Sequence, residues 1–200
     1  MSEYHAGNRY LSDSEMKTNA KFIYSYLSPR GWSINSIAGM LGNMQVDSTI
    51  NPAIWENLTY DESKGYGLVQ WTPATKFLEW CGINRKDYQS METNLDRIIY
   101  EQENNIQWIP TAVFPMSFSE FKTSTMKPAY LATVFLANYE RPADSNQPER
   151  GEYATAWYNY LLNGGSEGGG GSEGGGSEGG TTTKQKKMPL WLILKASRRF

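Results

Sequence analysis

The chain has 200 residues, of which 14% are aromatic, with one cysteine, one histidine and a formal net charge of -2. That length admits one domain of about 150 residues with appendages, and the aromatic share can build a packed core, which excludes disorder throughout. A single cysteine excludes an internal disulfide framework and thiolate clusters. A single histidine, His5, in the polar stretch MSEYHAGNRY, removes the usual zinc-hydrolase ligand set and the thiol-peptidase pair. Chemistry falls to carboxylates, hydroxyls, lysines or backbone groups, and neither a metal nor a cofactor is expected.

Residues 1-13 form a leader with neither the basic n-region nor the apolar h-region of a signal peptide. Ser12 and Glu15 make a capping box, and Met16, Ala20, Ile23, Tyr24 and Leu27 follow at helical spacing. Ser33 caps a second helix carrying Ile34, Ile37, Ala38 and Leu41; Pro52 limits it, and Asp47 and Ser48 fall at its C-terminal end. From Asn57 to Trp71 the chain is polar and glycine-bearing, which predicts a small hairpin. Thr72-Pro73 starts a third helix and Gly82 stops it, with Cys81 near its end as a buried filler. Leu95, Ile98, Ile99, Gln102 and Ile106 mark a fourth helix, Ser117 and Glu120 box a fifth, Pro128 opens a sixth and Pro148 a seventh. The expected fold class is α+β, mainly α: a helical body over residues 14-163 with a small β-hairpin wing.

The run GGSEGGGGSEGGGSEGG at residues 164-180 has no core-forming residue and reads as a disordered Gly/Ser/Glu linker. Residues 181-200 place the apolar run Met188 to Leu194 between lysines and arginines, a short basic-apolar tail. Residues 1-163 carry net -5, the linker -3 and the tail +6. An acidic body without a basic stripe is a poor nucleic-acid partner. The tail's apolar run is far below the roughly 18 residues of a bilayer span, so no membrane span is expected.

Asp47 is the first candidate for chemistry, because a carboxylate at the end of a buried helix can face a desolvated cleft, hold its proton near neutrality and donate it to a leaving oxygen. An aspartate there more often caps the following turn, so spacing alone leaves both readings open. The segment GYGLVQW at Gly65 to Trp71 sets the amide Gln70 beside the aromatics Tyr66 and Trp71, the parts of a carbohydrate cleft or of an inward-packed hairpin. Asp61 and Glu62 are candidates for a second carboxylate across that cleft, or solvated loop. Tyr139 ends an apolar helix and points to the cleft or to the core, with Glu140 and Arg141 read as solvent-exposed. Trp55, Trp71 and Trp108 are candidate stacking platforms for sugars, with core packing as the alternative.

Asp47-Ser48, Gly67-Leu68-Val69-Gln70 and Ala137-Asn138-Tyr139 come in the order of the Glu-Ser, Gly-Leu-x-Gln and Ala-x-Tyr segments of goose-type lysozymes and lytic transglycosylases. More closely, MLGNMQVDSTINP, GYGLVQWTPA and FLANYERP resemble the phage tail lysozyme domain over roughly residues 14-162. The resemblance implies a lysozyme-like fold and cleavage of the N-acetylmuramic acid to N-acetylglucosamine linkage of peptidoglycan. It implies action from a virion tail tip on the wall of a Gram-positive host. It puts Asp47 at the family's catalytic glutamate, and Ser48 beside it, Gln70 and Tyr139 at substrate-binding positions. Aspartate is one methylene shorter than glutamate, which sets a working glycosidase against a glycan-binding module or a structural tail component, while a water activated by Asp61 or Glu62 against attack by the substrate's own 6-hydroxyl separates hydrolysis from a lytic transglycosylase. On this reading residues 181-200 dock to other tail proteins while the linker lets the head sweep the wall.

Overall fold

The computed structural model describes residues 3-165. Residues 166-200 lie outside the described residues, and with them most of the 164-180 linker and the whole 181-200 docking expectation. Seven α-helices run through the described residues: α1 (Asp13-Leu27), α2 (Ile34-Ser48), α3 (Thr75-Asn84), α4 (Met91-Glu103), α5 (Phe118-Thr123), α6 (Pro128-Phe135) and α7 (Glu149-Leu162). Both predicted capping boxes form, at Ser12 with Glu15 and at Ser117 with Glu120. Among the described residues no helix is long and apolar enough to cross a membrane.

The fold is organised around α2. Every residue from Ser36 to Met44 is buried, which requires a helix apolar or small on all sides rather than on one stripe. It packs against α6 and α7. Gly42 allows the closest approach: a Cβ there would overlap the backbone oxygen of Arg150 and lie 2.9 Å from the Ala154 Cβ. Gly42→Ala is therefore expected to destabilise the protein by about 1–3 kcal/mol through overpacking. At roughly 2–4 °C per kcal/mol for a chain of this size, a thermal melt reads the loss directly.

A second apolar cluster lies at the α5-α6 side, where Trp108 stacks on Phe118 with centroids 4.4 Å apart and Phe135 stacks on Tyr139 at 4.5 Å. Past Phe135, α6 changes into a π turn, Leu136-Glu140. The Arg141 N–H reaches back five residues to the Leu136 carbonyl at 2.8 Å, and Arg141 ends the turn in the left-handed region. Such turns gather at functional sites because the extra residue re-aims the side chains around it.

Three sequence expectations are corrected. The β-hairpin wing is reduced, among the described residues, to two isolated antiparallel bridges, Trp55 with Tyr66 and Tyr66 with Trp71. Gly67 (φ +79°) and Gln70 (φ +49°) fold the segment too tightly for a ladder. Tyr66 and Trp71 N–H pair with each other's carbonyls, but Gly65 N–H goes to the Glu56 carboxylate and Leu68 N–H to Asn94 Oδ1. The third helix runs through Gly82 and is closed by Arg85 in the left-handed region. The fourth ends at Glu103, short of Ile106.

The leader is packed rather than free. His5 N–H donates to Asn19 Oδ1 at 2.7 Å, and Asn51 Nδ2 donates to the carbonyls of Gly7 and Arg9 at 2.7 and 2.6 Å. Leu11 is buried, and its N–H donates to Thr49 Oγ1. Cys81 is buried as expected, and burial pushes its thiol up to about 11.

Candidate active site

The last turn of α2 brings Asp47 to the wall of an open pocket of about 200 Å³. The chain leaves that turn under strain, with Thr49 and Ile50 both in the left-handed region at φ +55° and +56°. β-branched residues are rare there, and each such residue costs on the order of 1–3 kcal/mol. Hydrogen bonds hold the turn. Ser48 Oγ donates to the carbonyls of Met44 and Leu68 at 2.9 and 2.8 Å, and Asn19 Nδ2 donates to the Ile50 carbonyl at 2.8 Å. Ser48 is fully buried, so its hydroxyl ties the end of α2 to the Leu68 segment instead of facing the pocket.

Asp47 does not stand alone. Arg150, from the first turn of α7, donates from Nη2 to Asp47 Oδ1 at 2.7 Å and from Nη1 to Glu140 Oε2 at 2.9 Å. Its side chain is 6% exposed and that of Glu140 9% exposed. Gln147 Oε1 and Asn43 Oδ1 accept its remaining bonds at 2.7 and 3.0 Å, so the guanidinium is fixed on every side. Burial and the neighbouring Asp47 charge hold the Glu140 carboxyl well above the usual carboxylate range, against the pull of Arg150. Against the cost of burial, Asp47 and Glu140 hold the Arg150 guanidinium above its ordinary value.

The opposite wall comes from the segment ending at Thr72. Gln70 and Trp71 line it. Gln70 Nε2 donates to the carbonyls of Ile54 and Gly67 at 3.2 and 3.0 Å, and Trp71 stacks on Phe77 with centroids 4.4 Å apart. Behind this wall lies a buried carboxylate. Glu101 accepts from Trp71 Nε1 at 3.1 Å, from Arg97 Nε at 2.8 Å and from the Tyr139 hydroxyl. It joins α4 to both sides of the pocket. Burial raises Glu101, with the three donors working the other way. Burial raises Tyr139 too, reinforced by the Glu101 charge.

The sign of this shift has a measurable result. An acid whose folded value is raised adds most stability below its unfolded value and loses it as pH climbs through the folded value. Chemical denaturation from pH 4.5 upward is expected to show stability falling as Glu101 ionises, and Glu101→Gln is expected to flatten that fall.

Of the residues singled out by sequence, Asp47, Gln70, Trp71 and Tyr139 line one pocket although they come from three separate segments. The others do not join them. Tyr66 is fully buried among Trp55, Phe77 and Tyr88, with its hydroxyl toward the Tyr88 carbonyl. Glu62 is exposed and Asp61 partly so, and neither reaches the pocket lining. The Ser63 hydroxyl and N–H hold the Asp61 carboxyl below its usual value, the wrong direction for a base. Trp55 and Trp108 are buried in the two aromatic clusters. Glu140, read from the sequence as solvent-exposed beside Arg141, instead turns inward with the π turn onto Arg150. Arg141 does stay exposed.

A family model, phage tail lysozyme, matches residues 18–161, which hold all of these pocket residues. The chain belongs to the phage tail lysozyme family. It is 52% identical over 166 residues to "Morphogenesis protein 1" of Bacillus phage B103, an alignment covering 82% of this chain and 45% of that protein. The chain thus spans about half the length of that relative.

For this tail lysozyme family member, sequence reasoning missed two pocket-lining groups, Glu140 and Arg150, and the buried Glu101 behind the wall. Glu140 stood in plain view in FLANYERP, but a charged pair before a proline reads as solvated. Arg150 lies 103 residues from Asp47 in the chain, a distance across which no local spacing signals an ion pair. Glu101 lies on the apolar face of α4, where a charge is a signal only once its partners are known.

Proposed function

We propose that this chain is a peptidoglycan glycosidase of the phage virion that cuts the N-acetylmuramic acid to N-acetylglucosamine linkage, with Asp47 as the general acid. One observation carries the reading: Asp47, Gln70 and Tyr139, three of the four positions that the resemblance places in the site, line a single pocket. Asp47 protonates the leaving oxygen while positive charge grows on the sugar ring. Gln70 offers its side-chain oxygen, its nitrogen being engaged with backbone carbonyls. Tyr139 shapes the wall, its hydroxyl being committed to Glu101. Ser48 acts from behind as a positioning residue. The phage morphogenesis relative supports a place in the virion, and its Bacillus host supports a Gram-positive wall as substrate.

A second reading has an observation of its own. The lining carboxylates among the described residues are Asp47 and Glu140, and both sit on one guanidinium rather than facing each other across the pocket. That favours attack by the substrate's own 6-hydroxyl over a water activated by a facing base, the lytic transglycosylase outcome. Digestion of Gram-positive peptidoglycan by the full chain, followed by mass spectrometry, decides both points. Release of muropeptides supports the glycosidase, and products lighter by one water identify the anhydro route. Intact glycan strands after digestion, with saccharide binding retained, would leave a glycan-binding tail component.

A further inference from the structure

The oxygens left over at the Asp47–Glu140–Arg150 cluster are the informative ones. Arg150 takes Asp47 Oδ1 and Glu140 Oε2. Asp47 Oδ2 and Glu140 Oε1 are buried and have no donor. One guanidinium holds both carboxyls, Asp47 through Nη2 and Glu140 through Nη1. Two buried acceptors without a donor each carry a desolvation cost. One proton placed between them satisfies both. It also balances the charge, because one guanidinium then faces one net negative charge.

We propose that Asp47 and Glu140 hold a single proton between Oδ2 and Oε1, and that this pair, not Asp47 alone, is the acid of the site. Glu140 is the residue that keeps the proton in place at neutral pH, as like charges sharing a site must. The groups facing the pair are few. Arg150 comes from α7, with Glu149 acting on it through space. Lys76 of α3 lies at the pocket rim, and Tyr139 precedes Glu140 with its hydroxyl turned to Glu101. Asn43 on α2 and the lining Gln70, Thr72 and Gln107 do not titrate.

The use of that proton rests on the glycosidase reading; its existence does not. In the reaction the proton passes to the glycosidic oxygen as the carbon–oxygen bond breaks, and the bonding electrons stay on that oxygen. The attacking hydroxyl, of water or of the sugar, forms the new carbon–oxygen bond and releases its proton, which returns to the pair. The arrangement also answers the missing methylene. A short Asp47 bound into a pair with Glu140 is supplied with a proton that a lone aspartate beside an arginine would not retain.

The test is a carboxyl-carbon NMR titration of the full chain, joined to a pH profile of muropeptide release. The wild-type chain is expected to show one carboxyl step well above the ordinary value of 4.5. That step should vanish in Glu140→Gln and move down by about one unit or more in Asp47→Asn. The alkaline limb of the activity profile should fall to lower pH in Glu140→Gln, with at least a tenfold loss at pH 7. No high step at Glu140 in the wild type, or a step that Asp47→Asn does not move, overturns the shared proton, and the wild-type titration decides this even if a variant fails to fold. An unchanged alkaline limb in Glu140→Gln overturns its part in the acid. A high step that responds to Asp47→Asn in a chain that releases no muropeptide at any pH supports the pair and removes the glycosidase reading instead.

Discussion

Asp47→Asn is expected to lower muropeptide release by about 10²- to 10⁴-fold, the usual contribution of a positioned proton donor. The fold should survive the change. The asparagine oxygen still accepts from Arg150 Nη2, and its amide nitrogen can donate to Glu140 Oε1, which has no donor in the native site. The variant therefore removes a proton and little else, and a melting temperature within a few degrees of the wild type checks that claim alongside the digestion. Asp47→Glu tests the same residue in the opposite direction. It adds the methylene of the glutamate that the resemblance implies at this position, and a placement error of about 1 Å can cost on the order of a hundredfold. A gain of that order would mean that the aspartate falls short of the glycosidic oxygen; an unchanged or lower rate would mean that the backbone turn at Thr49 and Ile50 already brings it within reach.

Arg150→Met is expected to produce the largest stability loss of any single substitution considered. Methionine fills much of the arginine's volume, so packing loss is small and the electrostatic part is isolated. What remains is a buried pair of carboxyls with no cation, together with Asn43 Oδ1 and Gln147 Oε1 stripped of their donor. Breaking a buried ion pair from one side typically costs about 3–5 kcal/mol. For a chain of this size that is a fall in melting temperature of roughly 6–20 °C. The loss should be larger at pH 8 than at pH 5, because protonating the carboxyls relieves their repulsion. A drop of less than about 1 kcal/mol at pH 8 would show that the carboxyls escape to solvent instead of staying in the pocket.

Much of the helical framework was legible because its signals are local. Ser12 with Glu15 and Ser117 with Glu120 are capping boxes whose parts lie three residues apart, and Pro128 opens α6 because its missing N–H costs nothing in the first turn. The hairpin is reduced to two bridges because alternation of aromatics with glycines measures which side chains turn inward, not whether every neighbouring amide finds a strand. The Gly65 and Leu68 amides find Glu56 and Asn94 instead. Asp47, Gln70 and Tyr139 were legible through resemblance more than through physics. Their partners were not, since Glu140 depends on a π turn in a helix that reads as ordinary, and Arg150 and Glu101 depend on contacts across the whole chain.

The leader has a consequence for how this family member is cut and joined. Composition puts the edge of the domain at residue 14, yet the loop behind Asp47 is braced from upstream, by the carbonyls of Gly7 and Arg9 on Asn51, by the Leu11 amide on Thr49 and by the Asn8 side chain on the Trp55 amide. A module transplanted from residue 14 onward would leave those groups to water and free the strained turn that carries Asp47. The transferable unit begins with the leader, and its boundary is drawn by who holds Asn51 rather than by where the helices start.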